Sequence, residues 1–402
     1  MKRWPRAAIA VYLVVLAFGV WTPHPPPTPL DPQATSLSVE GLLADAVRNL
    51  FLFLPFGWLL AACAYRVFTI VGLGLVLSVS IECLQAVLPG RFTSLTDVVT
   101  NTFGTALGAL LYTTRRRWLT PDPTVAARLA LGCFAAASAI LVAAVQLMRP
   151  SAGGSEVYAG LRPVLGNYEP YGGEVLEFSI GEIPLSQGRI SDRDGFDRAW
   201  TDADPITLRA QPHPSTGATA PLVTIHDVRQ REILVVAAQS SDLIVEWRAV
   251  ACDLGLEQPM HRWPEALAGL STSEVVELRV ERDASGASLQ IADRSLGRQG
   301  RTPGSVWQLL IPGRIVPAAL EPILNALTIG LLALPFSFYA RRWLALTALF
   351  ALLLIGLSLV GPVGIPAPAD WIGLAAGTLV ARPGLLVCTR RPGPKDSFDE
   401  GP

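Results

Sequence analysis

Residues 45–66 read DAVRNLFLFLPFGWLLAACAYR, residues 67–90 read VFTIVGLGLVLSVSIECLQAVLPG, and residues 91–112 read RFTSLTDVVTNTFGTALGALLY. Each segment is mostly apolar over roughly the 20 residues that a membrane-spanning helix needs. Almost no loop separates the three segments. Their few polar residues fall toward one side of the membrane when the chain is threaded through it. The stretch therefore predicts adjacent membrane helices with a polar cluster at one end.

The predicted polar cluster is built from residues at helical spacing. Glu82 and Gln85 are three residues apart and share one helix face, and Asp97 and Asn101 are four apart on the next helix. The break at Pro89-Gly90 makes the two helices a hairpin, so that these faces can meet. Ionisable groups at membrane depth are costly, and we therefore interpret the cluster as a ligand-binding site. Its predicted members are Asp45, Arg48, Asn49, Glu82, Gln85, Arg91, Asp97 and Asn101.

Two kinds of role fit this cluster. Arg91, at the tip of the hairpin, could pair with Glu82 or Asp97, or could receive an anionic head group. Two carboxylates near an arginine could also perform acid–base chemistry, which makes Glu82 and Asp97 the candidate catalytic residues. We lean toward a protein that is not an enzyme, because no nucleophile with an adjacent base is recognisable in the sequence.

A purely structural interpretation of the same residues stays open. Ser94-x-x-Asp97 is a capping-box pattern, so Asp97 could serve only the backbone at a helix start. Glu82 and Arg91 could form a structural ion pair. Asn49 and Asn101 could be interhelical hydrogen-bonding residues.

The spacing of these residues resembles the VanZ-like membrane family over about residues 5–112. That family is named for a protein linked to low-level resistance to glycopeptide antibiotics such as teicoplanin. The resemblance implies an envelope membrane protein and does not supply a biochemical activity. It rests on Asn49-x5-Pro55-x-Gly57, Glu82-x2-Gln85-x3-Pro89-x-Arg91 and Ser94-x2-Asp97-x3-Asn101-x2-Gly104-x3-Gly108. The last two glycines predict close helix packing.

The composition agrees with a membrane protein. Half of the 402 residues are hydrophobic, and the mean hydropathy is +0.40. A net charge of −1 gives no basic surface for nucleic acid. The five cysteines contain no C-x-x-C pair, so we expect neither a disulfide framework nor a metal site, and we expect no cofactor. The expected partners are membrane lipid and an envelope glycan or lipid-linked precursor, and the oligomeric state is open.

We predict eight membrane helices in two groups. Residues 1–150 hold five helices and residues 316–390 hold three, followed by a disordered cytoplasmic tail at 391–402. The first segment follows the basic start MKRWPR; a cleaved signal peptide is the alternative to the uncleaved helix that we favour. The predicted helices cover about 7–21, 47–64, 67–88, 95–113, 124–147, 318–339, 343–361 and 367–387.

Arginine bias predicts the orientation in the inner (cell) membrane. The opposite short loops are nearly free of basic residues, so both termini are expected to be cytoplasmic and residues 151–315 extracytoplasmic. The polar cluster then lies in the leaflet nearest that region. The residues that give the bias are Lys2, Arg3, Arg6, Arg66, Arg115, Arg116, Arg117, Arg341, Arg342, Arg390 and Arg391.

Residues 151–315 predict an all-β sandwich. Six short alternating segments occur there, and 275–291 reads as a hairpin around Asp283-Ala284-Ser285-Gly286. The strand pattern resembles a concanavalin A-like (laminin G-like) jelly roll, a module that often binds glycans or proteins. Four tryptophans could stack on sugars, although core packing is the favoured interpretation; they are Trp200, Trp247, Trp263 and Trp307. The DRDGFD sequence at 192–197 resembles half of a calcium loop, but it lacks a closing glutamate and is interpreted as a polar turn.

The second group of helices repeats part of the first. Residues 325–342 resemble 49–66, and Asp370 and Gly377 repeat the spacing of Asp97 and Gly104. The second copy lacks counterparts of Glu82, Gln85 and Arg91. We interpret it as a degenerate repeat that packs against the first copy and has no site of its own.

Three hypotheses for function follow. The leading one is binding or handling of an envelope glycan or lipid-linked precursor, with a possible link to glycopeptide resistance. The alternatives are a membrane-embedded hydrolase or transferase on a lipid head group, and a membrane scaffold without enzymatic activity.

Overall fold

The computed structural model describes residues 4–21, 41–88, 93–151, 154, 156–164, 168–283 and 285–381. Arg91, the Pro89-Gly90 break and the predicted 391–402 tail lie outside these residues. The described part contains ten α-helices. They are α1 Trp4–Trp21, α2 Leu42–Ala62, α3 Val67–Gln85, α4 Leu95–Thr113, α5 Arg115–Leu119, α6 Pro123–Leu147, α7 Arg193–Thr201, α8 Glu321–Tyr339, α9 Trp343–Val360 and α10 Pro368–Val380.

Twelve strands lie between α6 and α8 in the described residues. They are β1 Val157–Leu161, β2 Val175–Ile180, β3 Ile183–Pro184, β4 Gly188–Arg189, β5 Ile206–Ala210, β6 Thr219–Asp227, β7 Glu232–Gln239, β8 Asp242–Trp247, β9 Met260–Trp263, β10 Val276–Asp283, β11 Gly286–Ile291 and β12 Arg294–Gly300.

Five helices in the described part are long and apolar enough to cross a membrane, which identifies a membrane protein. They are α2, α3, α6, α8 together with the short turn before it, and α9. The helix α4 has the length of a span but is less apolar, because it carries Asp97, Asn101 and several threonines. The helix α10 extends over only 13 residues, and the rest of the predicted span 367–387 lies outside the described residues. The helix α1 is apolar over Trp4–Ala17.

Each of the five predicted helices of the first group has a counterpart in the structure, in the same order. The largest shift is at α2, which begins at Leu42 rather than near residue 47. The short helix α5 was not predicted; it is formed by the arginines that follow α4. These differences lie at helix ends, where residues 41–46 add a first turn that packs on the sandwich.

The helices α2 and α4 approach each other at glycine positions. A β-carbon added at Gly104 would lie 2.4 Å from the Leu50 carbonyl oxygen, and one added at Gly108 would lie 2.0 Å from that of Leu54. Real β-carbons do not come so close, so only glycine permits this spacing. The predicted role of Gly104-x3-Gly108 in close packing is confirmed.

The second helix pair repeats this packing. A β-carbon at Gly377 would lie 2.3 Å from the Gly330 carbonyl oxygen, and one at Gly373 would lie 2.1 Å from that of Ala326. Thus α8 and α10 meet as α2 and α4 do, in agreement with the predicted repeat.

The expected packing of the second copy against the first is not the main contact of either helix pair in the described residues. Most buried apolar residues of α2, α3 and α4 form one core, and those of α8 form another with α6 and α9, which Ala44 at the start of α2 joins. The second pair packs on α6, α9 and the 3₁₀ helix Pro303–Leu309 instead. The reason is chain order: α6 brings its own apolar face, and that face covers α8.

Two antiparallel six-stranded sheets face each other, as the predicted β-sandwich requires. Their strand orders are β4-β1-β6-β7-β8-β9 and β12-β11-β10-β5-β2-β3. One continuous hydrophobic core lies between them. The predicted hairpin is confirmed, because Asp283 of β10 pairs with Gly286 of β11. The jelly-roll type remains a prediction.

Two other expectations in the sandwich have clear outcomes. The four tryptophans Trp200, Trp247, Trp263 and Trp307 are buried, which confirms their use in packing. The predicted polar turn at 192–197 is wrong, because α7 begins there. Asp192 caps this helix by accepting from the Gly195 N–H at 2.9 Å. An Asp three residues before a helix-interior position, as Asp192 is before Gly195, is typical of a helix cap. The comparison with a calcium loop led to the wrong prediction here.

The sandwich is joined to the start of α2. The Gly255 carbonyl accepts from the N–H groups of Leu43 and Ala44 at 2.8 and 3.0 Å, which satisfies two donors of the first turn. The Arg48 guanidinium donates to Glu257 Oε1 at 3.0 Å and to the Leu310 carbonyl at 2.6 Å. The β-domain therefore sits directly over the amino-terminal end of α2.

A buried ion cluster fastens the end of the sandwich. Arg314 contacts the carboxylates of Glu232 and Glu246 and the hydroxyl of Tyr168. Burial alone lowers the pKa of Arg314, but the two carboxylates outweigh it and raise that pKa well above its usual value. Burial raises the pKa of Glu246, whereas the charge of Arg314 lowers it; the effect of burial is the larger. The segment that enters α8 is thereby held against β7 and β8.

The close approach of α2 and α4 gives a first prediction. The variant Gly108→Ala places a methyl group against the Leu54 carbonyl, and we expect it to lower stability by about 1–3 kcal/mol through overpacking. Gly72→Ala on α3 is the matched control, since no atom lies within 4 Å of its added β-carbon. Thermal unfolding of the detergent-solubilised protein measures both variants, and equal midpoints would contradict the packing described.

The ion pair between Arg48 of α2 and Glu257 of the β-domain gives a second prediction. A double-mutant cycle with Arg48→Met and Glu257→Gln is expected to show a coupling free energy of about 1–3 kcal/mol, because the pair is partly buried. The control cycle uses Arg209→Met and Glu177→Gln, an exposed pair expected to couple by less than about 1 kcal/mol. Unfolding free energies from denaturant titration supply both values. Similar coupling in the two cycles would show that Arg48 does not hold the sandwich.

Candidate functional site

The site begins with Glu82, near the carboxyl-terminal end of α3. Its side chain is 8% exposed, and Oε2 accepts from the Ser94 N–H at 2.7 Å. Ser94 is the residue that caps α4, and its hydroxyl accepts from the Asp97 N–H at 3.4 Å. Glu82 thus links the end of α3 to the start of α4 and brings the polar faces of the two helices together.

In this arrangement, Asp97 does not accept the hydrogen bond from the Ser94 N–H that a capping box would give it. In a capping box, the third helical residue accepts from the N–H of the capping residue. Here Glu82 accepts that bond, so the Asp97 carboxylate faces other groups. The Asp97 carboxylate lies within hydrogen-bonding reach of the Asn49 amide and the Ser94 hydroxyl. It also interacts electrostatically with Asp45 and Arg48. Helix α2 therefore contributes directly to the surroundings of Asp97.

Asn101 lies one turn further along α4 and is 3% exposed. Its Nδ2 donates to the Ser78 hydroxyl of α3 at 2.9 Å, so the residue does join two helices. Its Oδ1 is buried and has no hydrogen-bond partner. An unsatisfied buried acceptor costs about 1–3 kcal/mol, and it is therefore a candidate contact for a donor group of a ligand.

Arg48 completes the cluster from the side of the sandwich. It contacts Asp45 one turn earlier on α2, and it also contacts Glu257. Burial raises the pKa of Glu257 above its usual value, while Arg48 acts in the opposite direction. Glu257 was not predicted from the sequence, because its partner lies 209 residues away and no local pattern marks it. Ser78 was missed as well, since a single serine in an apolar helix has no distinctive signal.

Two predicted members are not joined to the others. Gln85 is the last residue of α3, and no hydrogen bond links its side chain to another cluster residue that the structure describes. Arg91 lies outside the described residues, so its predicted pairing with Glu82 or Asp97 is not addressed. The residues that do come together are Asp45, Arg48, Asn49, Glu82, Asp97 and Asn101.

The equivalent aspartate of the second copy is used differently. Asp370 is fully buried and accepts from the Ala367 N–H at 3.0 Å, which is the bond that Glu82 makes in the first copy. It also accepts from the Thr302 hydroxyl at 3.2 Å. Its carboxylate is therefore saturated by structural contacts. Of the two described helix pairs, only the first has a glutamate that accepts this bond in place of the aspartate.

This arrangement offers three acidic groups, one guanidinium and two amides at one end of the α2–α3–α4 bundle. Glu82 and Asp97 are near enough to interact electrostatically. Such a set can hold a polar head group by hydrogen bonds, and it can hold or move a proton. Within the described residues, no group of three His, Cys, Asp or Glu side chains has the geometry of a metal site.

A comparison with protein families supports the sequence resemblance. The family model described as VanZ/LLP1 matches residues 9–116 of the 402-residue chain. The match covers α1 to α4 and thus every cluster residue that precedes the sandwich. No curated protein and no solved structure matches the chain. Residues 9–116 of this membrane protein are thus similar to the VanZ/LLP1 family.

Proposed function

We propose that the protein binds the polar head of an envelope glycan or a lipid-linked precursor at the membrane surface. The observation that carries this proposal is the convergence of Glu82, Asp97 and Asn101 beneath the sandwich. Asn101 Oδ1 has no protein partner, and Asp97 has been relieved of a capping bond. The partly exposed Asp97 carboxylate is therefore available to donors such as sugar or head-group hydroxyls, and Asn101 Oδ1 is a second, buried acceptor behind it.

The proposal includes an orientation in the inner membrane. The cluster and the sandwich lie at the same end of α2, and Arg66 and Arg115 follow the opposite ends of α2 and α4. With the basic ends in the cytoplasm, the sandwich and both cluster carboxylates face outward. Counting α1, α4 and α10 as spans gives eight crossings with both termini cytoplasmic.

The sandwich is proposed to be a concanavalin A-like module that captures the glycan part of such a ligand. Three of the buried tryptophans, Trp200, Trp247 and Trp263, belong to its core, and Trp307 donates to Asn325 of α8, so sugar contacts would come from its edges and loops. Glu257 and the Leu310 carbonyl lie next to Arg48 and thus beside the membrane cluster. A ligand with a sugar and a lipid-linked polar group could contact both parts.

A second candidate function is hydrolysis or transfer on a lipid head group. The proximity of the Glu82 and Asp97 carboxylates favours it, because two carboxyl groups at one site can divide the roles of acid and base. Glu82 already accepts from Ser94, which makes Asp97 the better candidate for proton transfer. We place this function second because the described cluster contains no activated nucleophile.

Ligand retention tests the binding proposal. The purified full chain is incubated with total envelope lipid extract, washed, and analysed for bound lipids by mass spectrometry. We expect Asp97→Asn to reduce retention of the specific species by about tenfold, the loss of one charged hydrogen bond, with little change in stability. Asp370→Asn is the matched control; it should lower stability and leave retention per folded molecule unchanged. Equal retention in all three proteins would overturn the proposal.

The phenotype and the enzymatic alternative are tested together with Glu82→Gln. Cells expressing the wild type are expected to tolerate more teicoplanin than cells expressing this variant at equal protein level, with exposed Glu274→Gln as the control. An enzyme would lose product formation in Glu82→Gln while ligand retention stayed near the wild-type value. A scaffold would show reduced abundance only. Unchanged tolerance in Glu82→Gln at normal abundance would exclude a role of the cluster in resistance.

A further inference from the structure

Arg301 is a buried cation without a counter-charge. It follows β12 and is 3% exposed. Its Nη1 donates to the Met148 carbonyl at 3.0 Å, but Nε and Nη2 have no hydrogen-bond partner. No described carboxylate lies within salt-bridge distance of it. Burial lowers the pKa of Arg301 to about 9, so it stays a cation at neutral pH. A buried unpaired charge is costly, and a bound anion would offset that cost.

An unpartnered histidine lies on the same tryptophan. The His261 ring stacks on Trp247 with centroids 4.3 Å apart, and the Arg301 guanidinium lies 4.9 Å from the centre of the Trp247 ring. Burial and the Arg301 charge lower the pKa of His261 well below its usual value, so the ring is neutral. One nitrogen bonds to the Gln299 backbone, and Nε2 has no partner. His261 thus offers a free hydrogen-bond acceptor beside a free cation.

Both residues line a cavity of about 500 Å³ between the sandwich and the second helix group. Thr302, Ser305 and Asn325 add polar groups to its wall, and the starts of α8 and α10 close it on the membrane side. The other charges in the wall are paired, since Arg262 contacts Asp242 and Glu321. Arg301 is therefore the one unneutralised charge among the described lining residues. The volume suits a small polar ligand.

We propose that this cavity binds the phosphate-bearing head group of a membrane lipid. Arg301 would pair with the phosphate, for which a guanidinium has matching geometry. His261 Nε2 would accept from a head-group hydroxyl, a preference that selects a hydroxylated head group over choline. The starts of α8 and α10 place the cavity at the depth of lipid head groups. This site shares no residue with the Glu82–Asp97 cluster and goes beyond the function proposed above.

Lipid retention in matched membranes tests this site. The full chain is reconstituted in nanodiscs of phosphatidylglycerol or phosphatidylcholine, released into detergent, and weighed by native mass spectrometry. We expect the wild type to keep phosphatidylglycerol selectively. Arg301→Gln should reduce that retention by about tenfold, as expected for one charged hydrogen-bond pair. Arg279→Gln, an exposed arginine of β10, should retain lipid like the wild type.

A second variant keeps the test decisive if Arg301→Gln fails to fold. Ala318→Leu adds bulk to the cavity wall without removing a charge, and the adjacent exposed Ala319→Leu is its control. Loss of phosphatidylglycerol from Ala318→Leu but not from Ala319→Leu supports the proposal. Equal retention of both lipids by the wild type, or unchanged retention in Ala318→Leu, overturns it. Arg301-dependent thermal stabilisation by millimolar inorganic phosphate without lipid retention also overturns it, because the ligand would then be free phosphate.

Discussion

The glycine contacts between α2 and α4 set the geometry on which the candidate site depends. Because Gly104 and Gly108 have no side chains, the two helices touch through their backbones. Asp97 and Asn101 lie on the same helix, about two turns and one turn before Gly104, respectively. Asp97 is consequently carried close to Asn49, about two turns into α2. Any side chain at the glycines would separate the helices and would move the acidic and amide groups apart.

The two helix pairs show how one arrangement can be used in two ways. Both pairs meet through glycine and both place an aspartate in the first turn of the second helix. In the second pair, the aspartate is enclosed by the 3₁₀ helix that follows the sandwich and makes only structural contacts. In the first pair, Glu82 takes over one of these contacts. A single residue on a neighbouring helix, Glu82, thus makes the difference between Asp370, which has a structural role, and Asp97, which is a functional candidate.

Local patterns predicted most of the helices and the central strands, because hydrophobic period and length are properties of short segments. They also predicted that Glu82 and Asp97 would meet, since Pro89-Gly90 forces a hairpin. Contacts between distant segments left no such signal. Glu257 contacts Arg48, which lies 209 residues earlier, and Arg301 donates to the Met148 carbonyl, which lies 153 residues earlier. Short strands such as β3 and β4 were missed because two residues are too few to show an alternation.

The sandwich is fastened to the helices at both of its ends. Where the chain enters the sandwich, the Ser151 N–H donates to the Arg248 carbonyl at 2.8 Å. Where the chain leaves the sandwich, the Arg314 guanidinium donates to the Glu246 carboxylate of β8. Gly255 adds a third attachment at α2. The β-domain is therefore held against the helices and is not joined to them by flexible linkers alone. A molecule that contacts the sandwich and the membrane cluster together would meet two surfaces in fixed relative positions, so the second contact would form without the entropy loss of closing a flexible linker.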